Sequence, residues 1–296
     1  MRYRYLLGAM RQLELTMIVR TMCLDEEANR LPELVERWRQ ASQRMQALAN
    51  RDPLIPTAAL DLPPELAGSI AAIEADPLFR ASFSSVPSRC QLVDLDSLVA
   101  PQREVNLDYV DVLRVRLAGT QLPDLIEFCL APRAAPPTIN VLQTAQNQMT
   151  FTSPSLDLRF LGGFPKPITE EDVRVAHMGG RPAQVIALLV GFGAAPINVW
   201  SAGNRLVLNN GFHRVFALRL AGVTRIPVVV QHAANAELEF PEQILGLPRA
   251  YLLGSQRPVL VKDFFDEQLV TELQLKPRMK SLKVTWVPED GIIPTE

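Results

Sequence analysis

Between Pro196 and Gln231 the apolar pattern changes period twice, from strand to helix and back to strand, and few folds accommodate that succession. Pro196–Trp200 reads as a strand, Ser201-Ala-Gly-Asn204 as a turn and Arg205–Leu208 as the returning strand. Asn209-Asn210-Gly211 reads as a tight turn, Phe212–Ala221 as a buried helix stopped by Gly222, and Ile226–Gln231 as a β-branched closing strand. A hairpin, a helix and a buried strand in direct succession make an α/β unit.

The flanking sequence is of two kinds. Before a Pro-rich stretch, Ala131–Pro137, it is mostly helical, with helices expected over 5–22, 31–49, 66–75, 105–117 and 123–130, and an extended segment within 91–100. Arg37 and Arg44 read as the solvated face of the second helix. After the Pro-rich stretch, Ile139–Leu142, Met149–Thr152 and Asp157–Leu161 read as strands, the last ended by Gly162-Gly163. Thr169 with Asp172 three residues on is a helix start whose helix should reach Gly179-Gly180. Pro182 opens a further expected helix, Ala183–Val190. Leu282–Trp286 reads as a strand flanked by Lys276, Arg278, Lys280 and Lys283. The expected fold class is α+β: a helical region 1–132, an α/β domain 139–232 with a small mixed sheet, and an extension 233–296 packing on it.

Composition narrows the function classes. With 48% hydrophobic and 21% charged residues, a 296-residue chain can bury a substantial core. The formal charge of −2 gives no global basic field, so direct DNA binding is expected to be weak or absent. Cys23, Cys90 and Cys129 are odd in number and far apart, which argues against a disulfide framework and a metal site, and they are expected to lie far from the turn. The apolar start has no cleavable h-region and the stretch Val185–Val199 is interrupted, so a cytoplasmic chain without a membrane span is expected. His177 and His232 read as isolated histidines, and Trp38, Trp200 and Trp286 as core or interface aromatics.

The candidate chemistry is at Asn210, Gly211, Phe212, His213 and Arg214. A Gly between strand and helix permits positive φ and close backbone approach, and the first helical N–H groups have no internal partner and sit at the positive dipole end. Together they make an anion site. Arg214 offers a planar fork for phosphate oxygens, and His213 a donor that gains charge on protonation.

These elements, in this order, resemble ParB-like and sulfiredoxin domains. The corresponding pattern falls here on Pro196, Ile197, Val199, Gly211, His213, Arg214, Ala217, Gly222, Ile226, Pro227, Val228 and Val230, with Lys166–Thr169 and the helix after it upstream. The resemblance spans residues 157–231. It implies a nucleotide- or phosphate-binding fold, with a nucleoside triphosphate and Mg as the cofactor it would take. Members include CTP-dependent partition proteins, an ATP-using sulfinic acid reductase, a free-serine kinase and proteins classed as nucleases. Phe212 stands where sulfiredoxin has its nucleophilic Cys, and Asn210 where many relatives have an acid. The expected function is therefore a binding or regulatory protein for a nucleotide or phosphate ligand. The alternatives are an ATP-dependent phosphotransferase or nuclease using Glu170, Glu171 or Asp172, or a scaffold that meets a protein partner through the helical N-terminal region.

Overall fold

A computed structural model describes residues 1–54, 57–130, 137–175, 182–193 and 195–293. In chain order the elements are β1 (Arg2–Leu6), α1 (Gln12–Thr21), α2 (Asp25–Asn29), α3 (Leu31–Arg51), α4 (Ala67–Ala75), α5 (Pro77–Ser82), β2 (Ser88–Asp94), β3 (Glu104–Asn106), α6 (Leu107–Arg116) and α7 (Leu122–Leu130). There follow β4 (Asn140–Ala145), β5 (Gln148–Ser153), β6 (Arg159–Lys166), α8 (Glu170–Val175) and β7 (Val185–Gly191). The rest is β8 (Asn198–Ala202), β9 (Arg205–Asn210), α9 (Phe212–Leu220), β10 (Arg225–His232), α10 (Ala236–Glu239), β11 (Gln243–Ile244), β12 (Leu247–Pro248), α11 (Arg249–Gly254), β13 (Val270–Gln274) and β14 (Lys280–Thr285). The chain is α+β.

It divides into two compact units, one of residues 1–133 with 194–277, the other of residues 134–193 with 278–296. These units cross the expected boundaries. The segment 139–232 is shared between them, the extension 233–296 is also divided, and the N-terminal region is no separate helical domain. The cause is strand pairing over long sequence distances. β1 lies between β13 and β3, and β2 is an edge of the sheet β2-β10-β8-β9.

The first of these pairings overturns the helix expected over 5–22. Residues 2–6 alternate, with Tyr3 and Tyr5 buried while Arg2 bonds Asp108 and Asp111 and Arg4 bonds Glu272 and Glu267. Helix α1 begins only at Gln12. In α3, with Pro32 in the first turn, Leu34 and Ala41 face the core, and the Trp38 indole N–H donates to the Met10 carbonyl at 2.8 Å. Arg37 and Arg44 are not merely solvated: Arg37 donates to Val270 O at 3.0 Å, and Arg44 pairs with Asp266 at 2.6 Å.

The sheet β2-β10-β8-β9 is mixed, β10 running parallel to β8 and antiparallel to β2. Val229 N donates to Ile197 O at 2.9 Å, so the odd residues of β10 aim their N–H groups at β8. Pro227 lies two residues before the first pair of that ladder, Val229 with Asn198, and costs the sheet no bond. The β8–β9 hairpin closes on Gly203 and Asn204, both at positive φ of 55° and 60°, as a right-twisted two-residue turn requires. Helix α9 and strands β8 to β10 contribute to a core that includes Leu95, Val110, Leu125, Leu130 and Phe264; a second cluster holds Trp200, Val207, Phe240 and Leu260, and a third surrounds Tyr3, Tyr5 and Leu15.

The second unit holds the antiparallel sheet β14-β5-β4, the ribbon β6-β7 and α8. The helix expected at Ala183–Val190 is strand β7, paired with β6 from Lys166–Val185 to Arg159–Gly191. A continuous apolar run has no period to distinguish strand from helix, so the partner decides. The strand expected to end at Gly162-Gly163 instead continues to Lys166, and a bulge between Phe160 and Gly162 absorbs the glycines. The expected helix end at Gly179-Gly180, His177, and residues 131–136 of the Pro-rich stretch lie outside the described residues. Among the described residues no helix is long and apolar enough to cross a membrane.

Candidate functional site

Strand β9 delivers the turn and α9 leaves it. Gly211 is left-handed, at φ 93° and ψ 18°, and no side chain caps the helix that it starts. A Cβ built on it would lie 2.7 Å from Ile197 Cγ1, far inside contact distance. Glycine is therefore demanded by the packing of Ile197, just before β8, as well as by φ. Asn210 is the last residue of β9 and sits opposite Asn198. Phe212 is buried and meets Phe264 edge-on at 5.2 Å, a core position.

His213 points to the start of α6. Its Nε2 accepts the Asn106 backbone N–H at 3.1 Å, and a backbone N–H only donates, so the ring proton is on Nδ1 and the imidazole is neutral. Asn106 in turn caps α6, its Oδ1 accepting from Tyr109 N at 3.1 Å and its Nδ2 donating to the Tyr3 hydroxyl at 3.2 Å. Tyr109 packs edge-on against the imidazole at 5.4 Å. Burial pushes the His213 pKa down to about 4.

Arg214 turns to the end of α7. Its Nη1 donates to the carbonyls of Phe128 and Cys129 at 3.3 and 3.2 Å, and its Nη2 to that of Ala195 at 2.6 Å. The last carbonyls of a helix lack internal partners and carry the negative end of its dipole, so a guanidinium is well placed there. The expectation that all three cysteines lie far from the turn is thus corrected: Cys129 contacts Arg214 through its backbone. Its thiol is buried, and burial pushes its pKa up to about 12 against a smaller lowering by Arg214, so it holds its proton. Burial, with Glu74 adding to it, likewise raises Cys90.

The acids offered for catalysis belong to the second unit, the turn to the first. Asp172 accepts from the Thr169 hydroxyl at 2.7 Å, the Thr169 N–H at 3.0 Å and Lys166 at 2.9 Å, and these donors hold its carboxyl down at about 2. Among the described residues no three His, Cys, Asp or Glu side chains are grouped to hold a metal ion. A cleft of about 580 Å³ in the first unit is lined by Glu74, Phe79, Arg80, Phe83, Ser84 and Ser88, and none of the turn residues borders it.

One polar constellation escaped the sequence reading. Asn198, on β8, is buried, and its Oδ1 accepts from Asn209 at 2.8 Å and Gln231 at 3.2 Å while its Nδ2 donates to Pro196 O at 3.1 Å. The available signal was a single amide inside each of two otherwise apolar strands, Pro196–Trp200 and Ile226–Gln231. His232 is bonded to Gln91 Oε1 at 2.9 Å, as a partnered histidine. Trp38 and Trp200 pack into the protein, whereas Trp286 keeps 39% of its surface exposed.

Comparison with family models, with curated proteins and with solved structures finds no match.

Proposed function

We propose that this chain is a non-catalytic interaction protein, a scaffold built around a ParB/sulfiredoxin-like core whose ligand turn serves the fold. The observation that carries this reading is the engagement of both ligand-type side chains by the chain's own backbone. His213 accepts from Asn106 N–H, and Arg214 holds three carbonyls. A phosphate reaching for Arg214 would have to compete with the three carbonyls that the guanidinium already holds, and a neutral His213 adds no charge. The proton-bearing thiol of Cys129 and the Phe212 ring supply no nucleophile.

A second reading rests on one specific observation: a left-handed glycine, Gly211, stands between β9 and α9, the strand–glycine–helix turn at a helix N-terminus that suits an anion. On that reading the chain binds a nucleotide or phosphate through backbone alone. Calorimetry with ATP, CTP and GTP, with and without Mg, distinguishes the two. The scaffold reading expects no binding heat with any of them. Saturable binding that Gly211→Val abolishes in a still-folded chain would reinstate the ligand reading.

A further inference from the structure

The two larger sheets of the first unit have four edge strands, and each is closed by another part of the unit. Leu60 exchanges two 2.8 Å bonds with Leu92 on β2, where the Glu74 carboxylate also takes the Cys90 N–H at 2.8 Å. Val99 bonds Leu206 and Leu208 on β9, each at 2.9 Å. Leu24 N reaches Gln274 O on β13 at 2.9 Å, and Glu27 accepts Gln274 N at 3.0 Å. His213 takes the Asn106 N–H on β3. Closure of this kind is how folded chains avoid pairing with others through strand edges.

The sheet β14-β5-β4 of the second unit is treated differently. Its β14 edge carries Lys280 and Lys283. Its β4 edge, Asn-Val-Leu-Gln-Thr-Ala, has no charge, proline or glycine, and all six residues are exposed. Among the described residues no backbone group bonds its outer side. Strand β7 is also uncharged, but four of its seven residues are half-buried. One face of the three-stranded sheet is an apolar row in which Val141, Phe151 and Leu282 align across the strands, and Val141 remains 58% exposed. The opposite face carries Thr150, Thr152, Ser281 and Lys283.

We infer that β4 pairs antiparallel with β4 of a second copy of this chain, joining two three-stranded sheets into one of six strands. A twofold axis places each strand against itself, and β4 brings no like charges together when it does so. The bulge after Gln143 confines the regular ladder to Asn140–Gln143, and Val141 continues the apolar row into the second copy. This inference is independent of what the Gly211 turn binds.

The test is the mass of the full chain by sedimentation equilibrium, up to about 100 µM to include weak dimers. The wild type should have twice the chain mass. The double variant V141K/L142K, at two exposed positions, should have the single mass with an unchanged circular dichroism spectrum. Hydrogen exchange of wild-type Asn140–Gln143 gives a second readout that needs no variant, and it should slow as concentration rises. A wild type that stays monomeric, a dimer indifferent to both lysines, or exchange independent of concentration would each overturn the proposal.

Discussion

Protonating His213 is a direct probe of whether its neutral ring holds α6 to α9. In the folded chain burial holds the imidazole down at about 4, and in the unfolded chain it titrates near its ordinary value of 6.5. Below the unfolded value the unfolded chain takes up a proton that the folded chain refuses, so stability falls as pH drops through this window and levels off below the folded value. The shift corresponds to about 3 kcal/mol when fully developed, of which about 2 kcal/mol is lost between pH 7 and pH 5. The molecular cause is burial, which opposes a charge on the ring beside Tyr109, and protonation also removes the Nε2 lone pair that accepts the Asn106 N–H. His213→Gln keeps an acceptor and removes the titration. Urea unfolding of both proteins at pH 7 and pH 5 is the assay. The wild type should lose the additional stability and the variant should not. Equal losses in the two proteins would show that His213 is already solvated or charged, and that its contact with Asn106 contributes nothing to the pH dependence.

Arg214→Ala should lower stability by roughly 2–4 kcal/mol, since three carbonyls lose a charged donor, and Arg214→Lys should restore only part of it; urea titration checks both. Gly211→Ala should cost roughly 2–4 kcal/mol, from positive φ and from overlap with Ile197, measurable as a lower thermal midpoint. Asn198→Ala should cost roughly 1–3 kcal/mol by leaving the Asn209 and Gln231 amides without their shared acceptor, again read by urea unfolding. The thiols of Cys90 and Cys129 should resist a neutral-pH thiol reagent in the folded chain and react fully after denaturation, because burial keeps both protonated.

Local chemistry made part of this structure readable. The hairpin turn at Gly203-Asn204, the left-handed Gly211, the stop at Gly222 and the Thr169–Asp172 helix start each depend on backbone sterics or on a side chain bonding its own neighbourhood, and each was legible in the sequence. The long amphipathic helix α3 was legible for the same reason. Where the deciding partner lies far along the chain, the sequence alone was silent or misleading. Residues 2–6 became a strand because residues 104–106 and 270–274 pair with them. Val185–Gly191 became a strand because β6 offered a ladder to an apolar run without period. The turn divides along the same line. Its strand–glycine–helix form was determined locally, but the roles of His213 and Arg214 were decided by Asn106, Phe128, Cys129 and Ala195, groups that tertiary packing brings to side chains otherwise equally suited to a phosphate.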